Sequence, residues 1–148
     1  MPSQKRNAGT KVFVDSSVLF AAVLSPGGGS FRIFREARER NIELIVSHYV
    51  MDEVRNALEE KRSDMLGNVK PLLVHFPIRI IRNPQKQTIK KYYDILPPED
   101  APILAAAISS KSGYLLTLDK KHFLIPLQAA KLPLEVLSPG AFIQRYFD

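Results

Sequence analysis

The sequence predicts an α/β fold in which a largely parallel sheet lies between layers of helices. Short apolar runs of strand length alternate with longer segments of helical periodicity, which is typical of parallel sheets. The chain has 148 residues, of which 45% are hydrophobic, enough for one domain with a sizeable core. We therefore expect a single domain over residues 11–148, preceded by a polar, disordered lead-in over residues 1–10.

Polar and glycine-rich positions bound the elements of the first half. Asp15 ends an apolar run, a glycine run over 27–29 follows a helical segment, and Ser30 and Ser47 are suitable N-caps. The predicted elements are a strand over 12–14, a helix over 16–24, a helix from Ser30 to Arg40, a strand over 42–46 and a helix after Ser47.

Proline and glycine mark the boundaries in the second half. Pro102 is tolerated in the first turn of a helix that begins near Asp100, and Gly113 ends this helix. Its residues are apolar all around, so we expect it to be packed on several sides. The other predicted elements are helices over 64–76 and 84–93, strands over 78–81, 114–118 and 134–137, and a final helix opened by Pro139.

Composition favours a polyanionic partner and excludes several chemistries. Lys and Arg total 21 against 15 Asp and Glu, a net charge of +6, which suits nucleic acid but also fits an ordinary solvated surface. The absence of cysteine excludes disulfides, thiolate nucleophiles and cysteine-ligated zinc. The apolar stretch 12–24 is interrupted by polar residues, and no segment has the character of a membrane span. We expect a cytoplasmic protein.

Four acidic residues stand where a parallel sheet collects ligand-binding side chains. Asp15 and Asp119 directly follow predicted strands, whose carboxyl ends open onto the binding edge of such a sheet. Glu53 and Asp100 lie near helix N-termini, which begin at the same edge. Taken singly, Asp15 and Asp100 are also suitable helix caps, and Glu53 is an ordinary surface acid. Because the four positions coincide, we expect the carboxylates to converge.

Converging carboxylates repel one another unless a cation or shared protons compensate them. Carboxylate oxygens suit hard cations, so we expect Mg²⁺ or Mn²⁺ rather than zinc. The histidines at 48, 75 and 122 lack the spacing of a zinc triad, and His122 either contacts substrate or lies in a solvated turn. Such a metal would activate water for direct attack on a phosphoryl group of a polyanionic substrate, and the absence of cysteine and of a Ser-His pairing favours this over a covalent enzyme intermediate.

Basic residues near these acids are the expected contacts of a phosphate backbone. An exposed Lys or Arg is more often a solubilising residue, so the set is a hypothesis. The expected phosphate contacts are Arg32, Arg35, Arg55, Lys111, Lys120 and Lys121.

The order of these motifs resembles that of PIN-domain ribonucleases, particularly the toxins of toxin-antitoxin pairs. The resemblance is carried by Val-Asp15-Ser-Ser-Val-Leu, by Ser47 with Glu53 downstream, by Glu-Asp100-Ala-Pro-Ile-Leu-Ala-Ala-Ala, and by Thr117-Leu-Asp119-Lys-Lys-His-Phe. It covers nearly the whole chain after Thr10. The last two motifs are fairly specific together and weak apart.

This resemblance implies a three-layer α/β/α fold and Mg²⁺- or Mn²⁺-dependent cleavage of single-stranded or looped RNA. It also implies a small antitoxin partner and homodimerisation. Ser17 stands where many members have Asn, and no second acid follows Asp119, so one metal is better supplied than two. The acidic set that the resemblance implies, with the Thr117 hydroxyl in support, is Asp15, Glu53, Asp100 and Asp119.

Three other classes of protein are alternatives to a nuclease. A receiver-type signalling domain needs paired acids near the first strand, and an aspartyl phosphatase needs a second Asp two positions after the first, where this chain has Ser17. A PIN-like module that binds RNA or protein without cutting is the stronger alternative. It has no physical need for four mutually repelling carboxylates.

Overall fold

The computed structural model describes residues 10–147, which form a three-layer α/β/α domain around a five-stranded parallel sheet. The predicted lead-in lies outside the described residues, apart from Thr10. The strand order is β3-β2-β1-β4-β5, with Phe13 of the central strand in register with Ile45 and Leu115. The strands are β1 (Lys11–Val14), β2 (Glu43–Ser47), β3 (Ile78–Ile81), β4 (Tyr114–Leu116) and β5 (Glu135–Leu137).

Helices cover both faces of the sheet, because parallel strands are joined by right-handed crossovers. The chain moves outward from β1 to β3, then crosses back to β4 and β5, so the two halves send their connecting helices to opposite faces. The predicted fold class is confirmed. The helices are α1 (Ser16–Leu24), α2 (Gly29–Arg40), α3 (His48–Lys61), α4 (Val69–His75), α5 (Lys86–Lys90), α6 (Ala101–Ser109), α7 (Ile125–Gln128) and α8 (Pro139–Tyr146).

Side-chain caps start two of the helices that carry the site. Asp15 accepts a hydrogen bond from the backbone N–H of Val18 and so begins α1. Ser47 begins α3 in the same way, through the N–H of Val50. Helix α6 is buried at every position from Ala101 to Ala107, as its uniformly apolar sequence predicts. The acids at the beginnings of α1 and α6 are therefore held by rigid, well-packed elements.

The predicted helix over 64–76 is wrong in its first half, which is a 3₁₀ segment, Ser63–Asn68, followed by the shorter α4. Pro71 explains the division. Its ring has no N–H and clashes with the carbonyl four residues earlier, so an α-helix tolerates it only in the first turn. Pro71 is the third residue of α4. Position 71 therefore forces the α-helix to begin near Val69.

The remaining differences concern one cap, several lengths and one missed segment. Helix α2 begins at Gly29 with Gly28 as its N-cap, so the prediction of Ser30 as the cap is wrong. Helix α5 spans five residues instead of the predicted 84–93, and the chain continues in turns bonded three residues apart, such as Tyr92 N–H to the Ile89 carbonyl. Strand β4 ends at Leu116, because the N–H of Leu118 is bound by the Ser17 hydroxyl. A π-helical turn, Lys120–Leu124, and α7 follow Asp119, and the sequence analysis did not predict them.

Within residues 10–147, no single helix is long and apolar enough to cross a membrane. Helices α1 and α2 reach that length and hydropathy only as a pair, and they meet at a bend of 96°.

Candidate functional site

Asp15 is the most buried acid of the site, with 2% of its surface exposed. Its Oδ1 accepts hydrogen bonds from the Val18 N–H at 3.2 Å and from the Ser17 hydroxyl at 2.6 Å. Its Oδ2 accepts from the Thr117 hydroxyl at 2.5 Å. Burial raises the pKa of Asp15 to about 6, although these hydrogen bonds act in the opposite direction. The carboxylate is held in one orientation and is costly to ionise.

Thr117 connects the acids that follow the two central strands. Its hydroxyl donates to Asp15 and accepts from the backbone N–H of Asp119 at 3.0 Å, and its residue surface is fully buried. The Asp119 carboxylate in turn accepts from the backbone N–H of His122 at 3.0 Å, with the His122 ring Nδ1 at 3.3 Å. The carboxyl ends of β1 and β4 thus bring Asp15 and Asp119 into one hydrogen-bonded network.

Glu53 and Asp100 form the other side of the site. The Ser16 hydroxyl donates to Glu53 Oε1 at 2.5 Å, which joins the second turn of α3 to the start of α1. Partial burial raises the pKa of Glu53, and repulsion from Asp100 adds to the shift. Partial burial also raises the pKa of Asp100, helped by repulsion from Glu99 and Asp119 and opposed by His122. The Asp100 carboxylate therefore interacts electrostatically with the carboxylates of both Glu53 and Asp119.

The donor chemistry of this site suits a hard cation, since its ligands are carboxylate and hydroxyl oxygens. Asp100 makes no side-chain capping bond at the start of α6, so its oxygens are not committed to the helix. However, no three His, Asp or Glu side chains within residues 10–147 are grouped closely enough to form a ready metal site. Asp100 interacts electrostatically with Glu53 and with Asp119, and Asp15 is connected to Asp119 through Thr117.

The predicted RNA-contact residues do not gather in one place. Lys120 and Lys121 are exposed next to Asp119, at the beginning of the π-helical turn. Arg55 is exposed on α3, two residues after Glu53, whereas Arg32 and Arg35 lie on α2. Lys111 is at the far end of α6, between that helix and β4. Two of the six thus stand beside the acids, and Lys111 stands clearly apart from them.

The roles of Ser16, Ser17 and Tyr49 were not predicted from the sequence. The two serines orient Glu53 and Asp15, and a Ser-Ser pair directly after a strand-ending Asp was the available signal. The Tyr49 hydroxyl donates to the carbonyl of Glu99 at 2.5 Å. Burial and then the charges of Glu53, Asp100 and Glu99 raise the pKa of Tyr49. Its phenol therefore lies beside the acids, which no local pattern around Tyr49 indicates.

A groove of about 550 Å³ opens next to Glu53, between α1 and α3. Ser16, Ser17 and Glu53 form its polar end, and Phe20, Leu24 and Leu118 are among the apolar residues that line the rest. Leu118 is 49% exposed. The acidic site therefore borders a largely apolar surface.

The fold and this edge define a three-layer α/β/α domain with an oxygen-rich site at the carboxyl end of its sheet. The family model for the PIN domain matches residues 11–121. The chain therefore belongs to the PIN-domain family, and the resemblance that the motifs predicted is confirmed. No curated protein matches the chain in sequence.

Solved structures share the fold at low sequence identity. VapBC2 from Rickettsia felis, solved with a DNA fragment from its promoter, is 14% identical with a TM-score of 0.65, over 86% of this chain and 97% of that chain. VapC20 from Mycobacterium tuberculosis, a toxin that cleaves the sarcin-ricin loop, is 12% identical with a TM-score of 0.58, over 83% and 98%. PAE2754 from Pyrobaculum aerophilum is 21% identical with a TM-score of 0.62, over 92% and 88%.

Proposed function

We propose that this chain is a metal-dependent endoribonuclease that hydrolyses phosphodiester bonds in single-stranded or looped RNA. The observation that carries the proposal is the series of carboxylates at the carboxyl edge of a PIN-domain sheet, in which Asp15 is buried and oriented by two hydroxyl groups. A buried acid with a raised pKa in such a setting is typical of a functional site. Membership of the family and a net charge of +6 support RNA as the substrate.

The residues that would hold Mg²⁺ or Mn²⁺ are Asp15, Glu53, Asp100 and Asp119. The cation would polarise a phosphoryl oxygen and make a nearby water more acidic. The chain itself contributes orientation: Ser17 and Thr117 fix Asp15, and Ser16 fixes Glu53. Lys120 and Lys121 would contact the RNA backbone beside Asp119. The assignment of Arg32, Arg35 and Arg55 to further phosphate contacts remains a prediction.

The test is a time course on mixed single-stranded RNAs with Mg²⁺, Mn²⁺ or chelator. We expect cleavage with either metal and none with chelator. Asp100→Asn should lower the cleavage rate by about 10²-fold or more, because a ligand charge is removed from the site. Asp52→Asn is the matched control, since Asp52 is an exposed acid on α3. Cleavage that persists in chelator, or full activity of the Asp100→Asn variant, would contradict the proposal.

The same assay separates the enzyme from a binding module. An RNA complex that forms without cleavage under every metal condition would identify the chain as the inactive PIN-like binder that the sequence leaves open.

We further propose that the chain is the toxin of a toxin-antitoxin pair, a cytoplasmic homodimer held in check by a small antitoxin. The fold similarity to VapBC2 and VapC20 supports the toxin, and the apolar groove beside Glu53 supports a protein partner. A neighbouring gene for a small DNA-binding protein whose product abolishes cleavage is the expected finding. Light scattering on the purified chain measures its molar mass and so tests for the dimer. A full-rate nuclease in the presence of that protein would contradict the antitoxin assignment.

A further inference from the structure

A second polar pocket, of about 380 Å³, lies between β3 and the C-terminal end of α6. We call it the basic pocket, because Lys11, Arg79, Arg82 and Lys111 line it and no acidic residue does. Ile81, Ser109 and Ser110 complete its wall. The four cations come from three separate parts of the chain, so the fold alone brings them together.

The charges in the basic pocket are mostly uncompensated. Arg79 lies 3.7 Å from Glu43, and it is the pocket's only cation with a carboxylate partner in the part of the chain that the structure describes. Lys11 donates a long hydrogen bond of 3.5 Å to the Ser110 carbonyl. Within residues 10–147, Arg82 and Lys111 have neither kind of contact. Four cations against one nearby carboxylate leave about three positive charges around one pocket, which attracts an anion.

Helix capping does not account for this arrangement. The C-terminus of α6 carries roughly half a negative charge, and Lys11 and Lys111 are well placed to offset it. The partial charge at the end of the helix is several times smaller than the net charge of the pocket, and its effect ends within the last turn. Arg79 and Arg82 belong to β3 and its end, so they serve no capping role.

Lys111 also has an unfavourable backbone conformation. Its φ is +59°, in the left-handed region where glycine is the residue of least strain after a helix. The turn requires that conformation, because the Ser112 N–H bonds back to the Ala107 carbonyl. A lysine at this position accepts strain that a glycine avoids, and its side chain extends the charge of the pocket.

Strand β3 and the residues after it connect the basic pocket to the neighbourhood of the acidic site. Asp100 and Ser110 are at opposite ends of α6, about 15 Å apart at 1.5 Å per residue. Directly after β3, Arg82 precedes Asn83, whose Oδ1 accepts a hydrogen bond from the backbone N–H of Tyr49 at 2.7 Å. The Tyr49 hydroxyl then reaches the Glu99 carbonyl beside Asp100. A nucleic acid strand spanning the two sites would cover about four nucleotides of stacked length.

We propose that the basic pocket binds a phosphodiester group of an RNA strand whose continuation reaches the acidic site. The choice of RNA as the ligand rests on the proposed function. The choice of a phosphate group rests on the geometry of the pocket. Binding there positions the strand by its backbone and reads no sequence.

The test measures binding without cleavage, using a labelled single-stranded RNA in chelator over a range of salt concentrations. Arg82→Gln and Lys111→Gly should each reduce the slope of log affinity against log salt by about 0.7, and lower the affinity about fivefold at 0.1 M salt. Lys111→Gly should melt at the same or a higher temperature than wild type, because glycine relieves the left-handed strain. Lys111→Arg should bind as wild type does.

The matched control is Lys70→Gln, which removes one exposed charge on α4. Equal losses in this control and in the pocket variants would mean diffuse surface attraction and would overturn the proposal. So would an unchanged salt slope in both Arg82→Gln and Lys111→Gly. A melting-temperature increase with inorganic phosphate that depends on Lys111, without any effect of Lys111→Gly on RNA binding, would assign the pocket to free phosphate and also overturn it.

The binding assay and the cleavage assay test the two proposals independently. If wild type cuts no RNA but the pocket variants still lose RNA binding, the nuclease proposal falls and the pocket proposal stands. If cleavage depends on Asp100 but the pocket variants bind normally, only the pocket proposal falls.

Discussion

At the scale of the residue, Asp15 has two roles with opposite energetic consequences. As a cap it stabilises α1, by on the order of 1 kcal/mol, and as a buried carboxylate it costs free energy whenever it is ionised. Ser17 and Thr117 reduce that cost by donating hydrogen bonds. A nearby cation would be attracted most strongly to a charge that is poorly solvated. The free-energy cost of ionising Asp15 therefore favours cation binding at this position.

The first prediction concerns the pH dependence of the apo protein in chelator. The folded-state pKa of Asp15, about 6, lies above its ordinary value of 3.8, so the folded state holds the proton more tightly than the unfolded state. The free energy of unfolding should therefore fall by about 3 kcal/mol for this group as pH rises from about 4 to 6, and then level off. Urea unfolding of wild type and Asp15→Asn at pH 4 and pH 7 measures the change.

Asp15→Asn retains a side chain suited to capping but cannot ionise, so its stability relative to wild type should be greater at pH 7 than at pH 4. Glu53 and Asp100, whose pKa values are also raised, are present in both proteins and cancel from the comparison. An identical difference between the two proteins at both pH values would contradict the prediction.

The second prediction isolates the hydroxyl of Thr117. Thr117→Val keeps the shape but removes the donor to Asp15 and the acceptor for the Asp119 N–H. We expect a loss of about 1–3 kcal/mol in unfolding free energy at pH 7, because the buried Asp15 carboxylate and the part-buried N–H of Asp119 each lose a hydrogen-bond partner. The pKa of Asp15 should rise further. Thr117→Ser is the control and should recover most of the stability; equal losses in both variants would show that the methyl packing dominates.

At the scale of the element, helix α3 carries both Glu53 and Tyr49 to the site, and its start is fixed by Ser47. This serine is fully buried and accepts the N–H of Val50 at 3.2 Å. Asn83 supports the same turn by accepting the N–H of Tyr49. The position of Glu53 thus depends on contacts six residues earlier in the chain.

The third prediction tests that dependence. Ser47→Ala should destabilise the protein by about 1 kcal/mol, since the first turn of α3 loses its cap. Because Glu53 lies in the second turn, cleavage activity should fall as well. Ser63→Ala, at an exposed serine of the 3₁₀ segment, is the control. Chemical denaturation and initial cleavage rates measure the two effects, and a fully active, fully stable Ser47→Ala variant would contradict the prediction.

At the scale of the whole molecule, opposite charges are separated along one domain. Carboxylates meet at the carboxyl edge of the sheet, while the basic pocket joins β3 to the far end of α6. Each cluster repels itself in the absence of a partner, so the free protein is less stable than the same fold with both charges compensated. Metal and anion should therefore stabilise the fold by mass action.

The fourth prediction measures this linkage at the acidic edge. Mn²⁺ should raise the melting temperature of wild type, and Asp119→Asn should lose most of that increase because one ligand charge is gone. In chelator, neutralising one acid should leave the fold equally stable or more stable by about 1 kcal/mol, unless capping is lost. Thermal melts of both proteins with Mn²⁺ and with chelator measure the effect. An identical Mn²⁺ shift in both would exclude Asp119 from the metal site.

Local sequence patterns were sufficient to predict the fold class, the family and the candidate acids. An apolar run followed by an acid marks the end of a strand, and an Ala-rich run after Asp100 marks a buried helix. Segment lengths after residue 60 were less accurate: Pro71 determines where α4 begins, and β4 ends where the N–H of Leu118 donates to the Ser17 hydroxyl.

Which side chains share an environment depends on the tertiary structure and could not be predicted from local patterns. The bond from Thr117 to Asp15 joins positions 102 residues apart, and the bond from Ser16 to Glu53 joins positions 37 apart. The basic pocket combines Lys11, Arg79 and Lys111 in the same way. Sequence spacing determines a face of one helix or strand, whereas the distance between two elements depends on sheet order and packing, which no local pattern contains.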